Sequence, residues 1–247
     1  MIIGLASTLA TDDSAAIDLW LLDPAALASS AVHNVACALL SAAELERFAR
    51  FQHVESGRHF LGGRLLARTV LGARLGVAPR DIAFALGPHG KPALALETRP
   101  RLHFNLSHTR GLVALAITTA GEVGLDVEDC RARRLDIADR FFAPPEIAAL
   151  RATPEGEQAA AFHALWTLKE SFVKARGTGL SLALDTFAVG LHPPRLLPFG
   201  VAATEADQWH FTCLSPTSSH RAAICVHASP ARPLPIVSRW FALPGQN

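Results

Sequence analysis

Apolar positions along the chain alternate between two periods. Ile17 to Leu22 (IDLWLL) is a short, nearly continuous apolar run that reads as an early strand. Ser41-Ala-Ala-Glu44 has the form of a capping box, with Ser41 as N-cap and Glu44 at the third helical position. Helical pattern follows to Leu75, with a break near His53. Phe60, Leu61, Leu65, Val70 and Leu71 recur at helical spacing, polar positions include Arg58, Arg64 and Arg68, and Gly76 ends the run. Asp81–Leu86 and Ala93–Leu96 predict strands about the turn 87–92. Leu102–Leu106 and Leu112–Thr118 predict a hairpin joined by Ser-His-Thr-Arg-Gly.

Past Gly121 the order begins again. Val123–Glu128 predicts a strand. A short helix opens on Pro144-Pro145-Glu146, and a long one runs from about Glu155 to Ala175, stopped by Gly177 and Gly179. Strands are expected at 186–191, 209–214 and 221–227. The Pro-rich tail from Pro230 has no periodicity and is expected to lie at the periphery. Each half thus reads as strand, long helix, then strands, a mixed α/β chain dividing near Gly121 into 1–121 and 122–247.

Half of the 247 residues are hydrophobic, enough for a sizeable core, and the formal charge is +1. That balance argues against a general nucleic-acid binder, so a site for a polyanion must be local. Cys37, Cys130, Cys213 and Cys225 form no CxxC pair and read as reduced, mostly buried thiols. The N-terminal stretch lacks a positive n-region and is interrupted by Asp12 and Asp13, unlike a signal peptide. No apolar run reaches the roughly 18 residues of a membrane span. A cytoplasmic protein is the expectation.

Two segments carry chemistry. In Gly124-Leu-Asp-Val-Glu128, Asp126 and Glu128 stand two apart on a strand and face one way, while Leu125 and Val127 face the core. Two hard oxygen donors on a rigid strand suit magnesium, although an exposed polar strand face has the same pattern. In Trp166-Thr-Leu-Lys-Glu-Ser-Phe-Val-Lys174, Trp166, Glu170 and Lys174 lie at i, i+4 and i+8, close to one helix face. In isolation, Glu170 and Lys174 also fit a surface ion pair contributing about 0.3–0.5 kcal/mol.

Together, and in this order, the two segments resemble the signature of the Sfp-type 4'-phosphopantetheinyl transferases. Further matching pieces are Gly90-Lys91-Pro92, Phe104-Asn-Leu-Ser-His108, Arg140-Phe-Phe142 before Glu146, and Gly177-Thr-Gly-Leu-Ser-Leu182. The resemblance spans nearly the whole chain. It implies a pseudo-two-fold protein of two similar α/β halves in a single chain, expected to be a monomer, with coenzyme A in the cleft between them. It implies transfer of phosphopantetheine to a serine of an apo acyl or peptidyl carrier protein. By motif, Asp126, Glu128 and Glu170 are the implied magnesium ligands. Glu170 and Lys174 are the implied catalytic residues. Arg58, Arg64, Lys91, Ser107, His108 and Lys174 are the implied coenzyme A contacts. Here the chain departs from the family, because Glu44 opens the stretch where basic residues are common, leaving Arg47 and Arg50. The cationic run Cys130-Arg-Ala-Arg-Arg134 is a candidate rim for an acidic carrier, with Phe141-Phe142 as the other candidate.

Overall fold

The computed structural model describes residues 16–131, 135–228 and 234–243. In chain order the first half runs β1 (Ile17–Leu22), α1 (Ser30–Cys37), α2 (Ala42–Ala49), α3 (Val54–Leu75), β2 (Phe84–Leu86), β3 (Pro92–Leu94), β4 (His103–Thr109) and β5 (Leu112–Thr118). The second runs β6 (Val123–Asp129), α4 (Ala138–Phe141), α5 (Pro144–Ala152), α6 (Glu155–Arg176), β7 (Val189–Leu191), β8 (Pro194–Leu196), α7 (Ala203–Ala206), β9 (Trp209–Thr217) and β10 (His220–His227). A last strand, β11 (Ile236–Trp240), follows.

The repeat legible as an order of elements is a repeat in space. The sheets order β1-β5-β4 and β6-β10-β9, each beside a 22-residue helix. Both helices end on a glycine in the left-handed region, Gly76 at φ 66° and Gly177 at φ 68°. Four layers result: α3, the first sheet, the second sheet, α6.

Burial explains the apolar runs. Leu19 and Leu21 of β1 meet Leu125 and Val127 of β6 and Ile224 of β10 in a core between the sheets. Trp20 and Leu22 turn the other way, onto Leu61, Leu65 and Leu66 of α3. A strand covered on both faces needs no polar alternation.

A matched device fixes each long helix. The Ser41 and Glu44 capping box forms as expected at the start of α2, and α3 begins anew after His53. Glu44 also accepts from Arg68 Nη2 at 2.6 Å, and Arg68 Nη1 donates to the carbonyl of Ile82 at 2.6 Å while its guanidinium lies over Phe84. In the second half, Glu146 accepts from the Ala143 amide. Lys169 Nζ donates to both Glu146 oxygens and to the Phe187 carbonyl, and lies over the Phe187 ring. Carboxylate, cation and phenyl ring recur in the same places with different cations.

Two expectations are corrected. The tail is not peripheral: β11 pairs in parallel with β1, and Phe241 and Leu243 are buried in the first core. Pro-rich flanks hid a strand whose partner lies at the far end of the chain. The segment Ser107-His-Thr109, expected in a hairpin loop, belongs to β4, which turns only at Arg110-Gly111. Its polar side chains suggested a loop, but Ser107 and Thr109 bond to β6 of the other half. All four cysteines are free, as expected, but only Cys225 is fully buried and Cys213 is exposed.

Candidate active site at the junction of the halves

The site begins with the packing of α6 on β6. A Cβ on Gly124 would stand 1.9 Å from the Ser171 carbonyl oxygen and 2.3 Å from the Ala175 nitrogen. Only glycine lets the helix backbone come this close. The approach lays the last turns of α6 along the face of β6 that carries Asp126 and Glu128.

Asp126 is buried, and its Oδ1 accepts from Lys174 Nζ at 2.6 Å and from Ser107 Oγ at 3.3 Å. Lys174 Nζ also reaches Ser107 Oγ at 3.0 Å. Strand β6, helix α6 and strand β4, from both halves, thus meet in one cluster. Asp126 Oδ2 is buried and has no hydrogen-bond partner among the described residues. A buried carboxylate oxygen in that position is a natural seat for a cation or a proton. Burial pushes the Asp126 carboxyl above the ordinary carboxylate range, against the pull of Lys174. Glu170, half-buried one turn before Lys174, is raised first by burial and then by the nearby Asp126 charge. Glu128 lies two residues beyond Asp126 on the same face of β6. Among the described residues, no group of three or more His, Cys, Asp or Glu side chains is drawn together tightly enough to hold a metal ion. The three carboxylates share a neighbourhood without closing into a ligand set.

A cleft of about 710 Å³ opens at Glu170 and Lys174. Lys91, Asn105 and Leu106 line it from the first half, and Phe141, Trp166, Glu170 and Lys174 from the second. The i, i+4, i+8 face of α6 therefore does face one cleft. Arg140 lies at the same wall, and Phe141 packs edge-on to Trp166 at 5.6 Å.

The remaining expected contacts are dispersed. His108, next to Ser107, faces the other side of β4 and stacks on His59 of α3 at 5.0 Å. Burial holds both imidazoles below their ordinary pKa, toward the neutral form. Lys91 lines the cleft, but its ammonium is engaged by Glu122 and by the carbonyls of Val123 and Ala175, each at 3.1 Å. It straps the first half to the second. Arg64 is paired with Glu44 at 3.1 Å and lies over Phe60 and Phe84, away from the cleft walls. Arg58 is half-buried on α3 and has no ion pair among the described residues. Arg131 folds back onto Asp129, at 2.7 Å from Nε to Oδ1, and Arg133 and Arg134 lie outside the described residues. Sequence reasoning missed His59, Asn105 and Thr109. The polar alternation Asn105, Ser107, Thr109 was the available signal.

Fold and site define a class: an α/β protein of two similar halves with a carboxylate–lysine–serine cluster where they meet. A family model for the 4'-phosphopantetheinyl transferase superfamily matches residues 122–225, and one for the N-terminal part of 4'-phosphopantetheinyl transferases matches residues 28–120. The chain is 35% identical over 192 residues to a 4'-phosphopantetheinyl transferase of Bacillus subtilis, covering 76% of this chain and 82% of that one. It is 34% identical over 190 residues to the B. subtilis 4'-phosphopantetheinyl transferase Sfp, covering 75% and 81%. It is 33% identical over 222 residues to 4'-phosphopantetheinyl transferase HetI of Nostoc sp., covering 89% and 90%. This chain belongs to the 4'-phosphopantetheinyl transferase family. Among the described residues no helix is long and apolar enough to cross a membrane.

Proposed function

We propose that the chain transfers 4'-phosphopantetheine from coenzyme A to a serine hydroxyl of an apo carrier protein, releasing 3',5'-ADP. The observation that carries this reading is the cluster of Asp126, Lys174 and Ser107, whose Lys174 opens onto a cleft walled by both halves. The cleft has room for an extended ligand, and its apolar wall of Leu106, Phe141 and Trp166 suits the pantetheine arm.

In the reaction the serine oxygen bonds to the phosphorus bearing pantetheine, and the bond from that phosphorus to the bridging oxygen of ADP breaks. Asp126, Glu128 and Glu170 are the residues that would hold magnesium, and the unpartnered Oδ2 of Asp126 fits a cation. Bound magnesium would neutralise charge on the pyrophosphate. Lys174 would face the reacting phosphate as a point charge, oriented by its contact with Ser107. Glu170, on the cleft wall one turn before Lys174, would take up the serine proton, directly or through a water. His108 on the opposite face of β4, with Arg58 and Arg64 on α3, suits the outer phosphates once Arg64 exchanges Glu44 for a ligand.

Incubation with coenzyme A, magnesium and an apo carrier protein, followed by intact-mass analysis of the carrier, tests this. One phosphopantetheine added per carrier is expected, abolished by replacing the acceptor serine. An unchanged carrier mass with every carrier class tried overturns it. A panel of fatty-acid, polyketide and peptide-synthetase carriers identifies the partner.

A further inference from the structure

The junction contains a set of contacts that the proposed chemistry leaves unused. Among the described residues, β6 pairs with β10 along one edge and with no strand along the other. Along its other edge the amides of Leu125, Val127 and Asp129 need acceptors, because a buried N–H without one is strongly disfavoured. They find them in side chains of β4. The Leu125 amide donates to Asn105 Oδ1 at 2.9 Å, that of Val127 to Ser107 Oγ at 3.2 Å, and that of Asp129 to Thr109 Oγ1 at 3.2 Å. Both triplets advance by two residues in the same direction. Three side chains thus do what a parallel strand's carbonyls would do, one side-chain length away.

The repeat makes this arrangement informative. β1 is the counterpart of β6, and its corresponding edge is closed by the backbone of β11. Direct pairing leaves no gap between strands. The side-chain ladder holds β4 and β6 apart, and Ser107, Asp126 and Lys174 meet at that spacing.

We propose that Asn105 and Thr109 are positioning residues for the transfer reaction, fixing the register of the carboxylate strand against β4. The proposal rests on the magnesium-dependent transfer argued above. A slip of one residue would turn Asp126 into the core between the sheets, where Leu125 and Val127 now sit. A slip of two would leave an amide without its acceptor and carry Asp126 away from Ser107. Ser107, the middle rung, is also bonded to Asp126 and Lys174, and Asn105 lines the cleft, so Thr109 is the rung that best separates register from site chemistry.

The test compares Thr109→Val, which keeps the shape and removes the acceptor, with Thr109→Ser, which keeps the hydroxyl. Asn105→Leu probes the other end of the ladder. Two quantities are read on the full chain: hydrogen exchange of the Asp129 and Leu125 amides, and the magnesium concentration giving half-maximal transfer, with the KM for coenzyme A measured alongside. Thr109→Val is expected to speed exchange at Asp129 and to raise the magnesium midpoint about tenfold, as loss of a group supporting metal ligands does. The KM for coenzyme A should stay unchanged, and Thr109→Ser should match the wild type in every reading. Asn105→Leu should speed exchange at Leu125 and raise the same midpoint, which keeps the proposal testable if Thr109→Val does not fold. Faster exchange with an unmoved magnesium midpoint overturns the positioning role, as does a Thr109→Ser chain that behaves like Thr109→Val. If the wild-type chain transfers nothing, the functional reading fails and takes this proposal with it. If the wild type transfers and Thr109→Val is indistinguishable from it, only the positioning role fails.

Discussion

Replacing Lys169 by Met isolates the energetics of the ion pair that anchors α6. Both Lys169 and Glu146 are fully buried, and the ammonium sits 2.7 and 2.6 Å from the two carboxylate oxygens and 2.6 Å from the Phe187 carbonyl. Burial alone pushes Glu146 up and Lys169 down, each toward its neutral form, and the partner's charge opposes both shifts. Met keeps the unbranched stem and most of the packing but leaves a buried carboxylate without its counter-charge. Breaking one side of such a pair costs about 3–5 kcal/mol. In a chain of 247 residues, one kcal/mol corresponds to about 2 °C in Tm, so a loss of roughly 6–10 °C is expected near neutral pH.

The pH dependence carries the mechanism. In the Met variant the folded protein can relieve Glu146 only by protonating it, so the folded state binds more protons than the unfolded one above the ordinary carboxylate pKa. Stability of the variant relative to wild type should therefore fall as pH rises, by up to about 1.4 kcal/mol per pH unit while that proton is held. Thermal and urea unfolding between pH 5 and 8 measure this. Adding Glu146→Gln should recover part of the loss, because the amide oxygen can still accept from Ala143 or Val189. A Tm shift under about 2 °C, a loss that does not vary with pH, or a double variant no better than the single one would refute the reasoning.

Three further outcomes are expected. Gly124→Ala should abolish transfer and lower Tm, since its Cβ would collide with the α6 backbone, whereas Gly156→Ala, whose Cβ meets nothing, should be neutral or stabilising by up to about 1 kcal/mol; thermal unfolding and the carrier assay read both. Glu122 is held at about 2, below an ordinary 4.5, first by its hydrogen bond from His103 and then by Lys91. Its stabilisation is present above 4.5 and disappears as pH falls toward 2, so Glu122→Gln should be less stable than wild type near neutrality and converge on it in acid unfolding curves. Lys174→Ala should reduce kcat for carrier modification by about 10²–10³, the loss expected for one group facing transition-state charge, while the KM for coenzyme A changes less.

Much of the fold was legible because its signals are local. The capping box at Ser41 and Glu44, the glycine stops at Gly76 and Gly177, and the two-period apolar pattern each act within a few residues. The carboxylate pair on β6 and the face of Trp166, Glu170 and Lys174 were legible for the same reason. What escaped depends on partners distant in sequence. Lys91 reads as an exposed turn residue until Glu122, Val123 and Ala175 are brought to it. Arg64 reads as a free cation until Glu44 folds against it. Ser107 and Thr109 read as loop because the amides that make them strand residues lie on β6. Polar side chains reveal little about burial when their acceptors or donors are supplied by another half.

β11 places a late segment of the chain against an early one, in parallel with β1. During synthesis, β1 emerges long before Ile236–Trp240, and until then it lacks one neighbour and the first core lacks Phe241 and Leu243. The first half cannot close on the ribosome as a finished unit, although its own helix and hairpins are complete. Among the described residues, the strands of the second half are complete by His227. A nascent chain of this protein therefore carries an open edge on β1 until Ile236–Trp240 has been made, and an unpaired strand edge is where another strand can add.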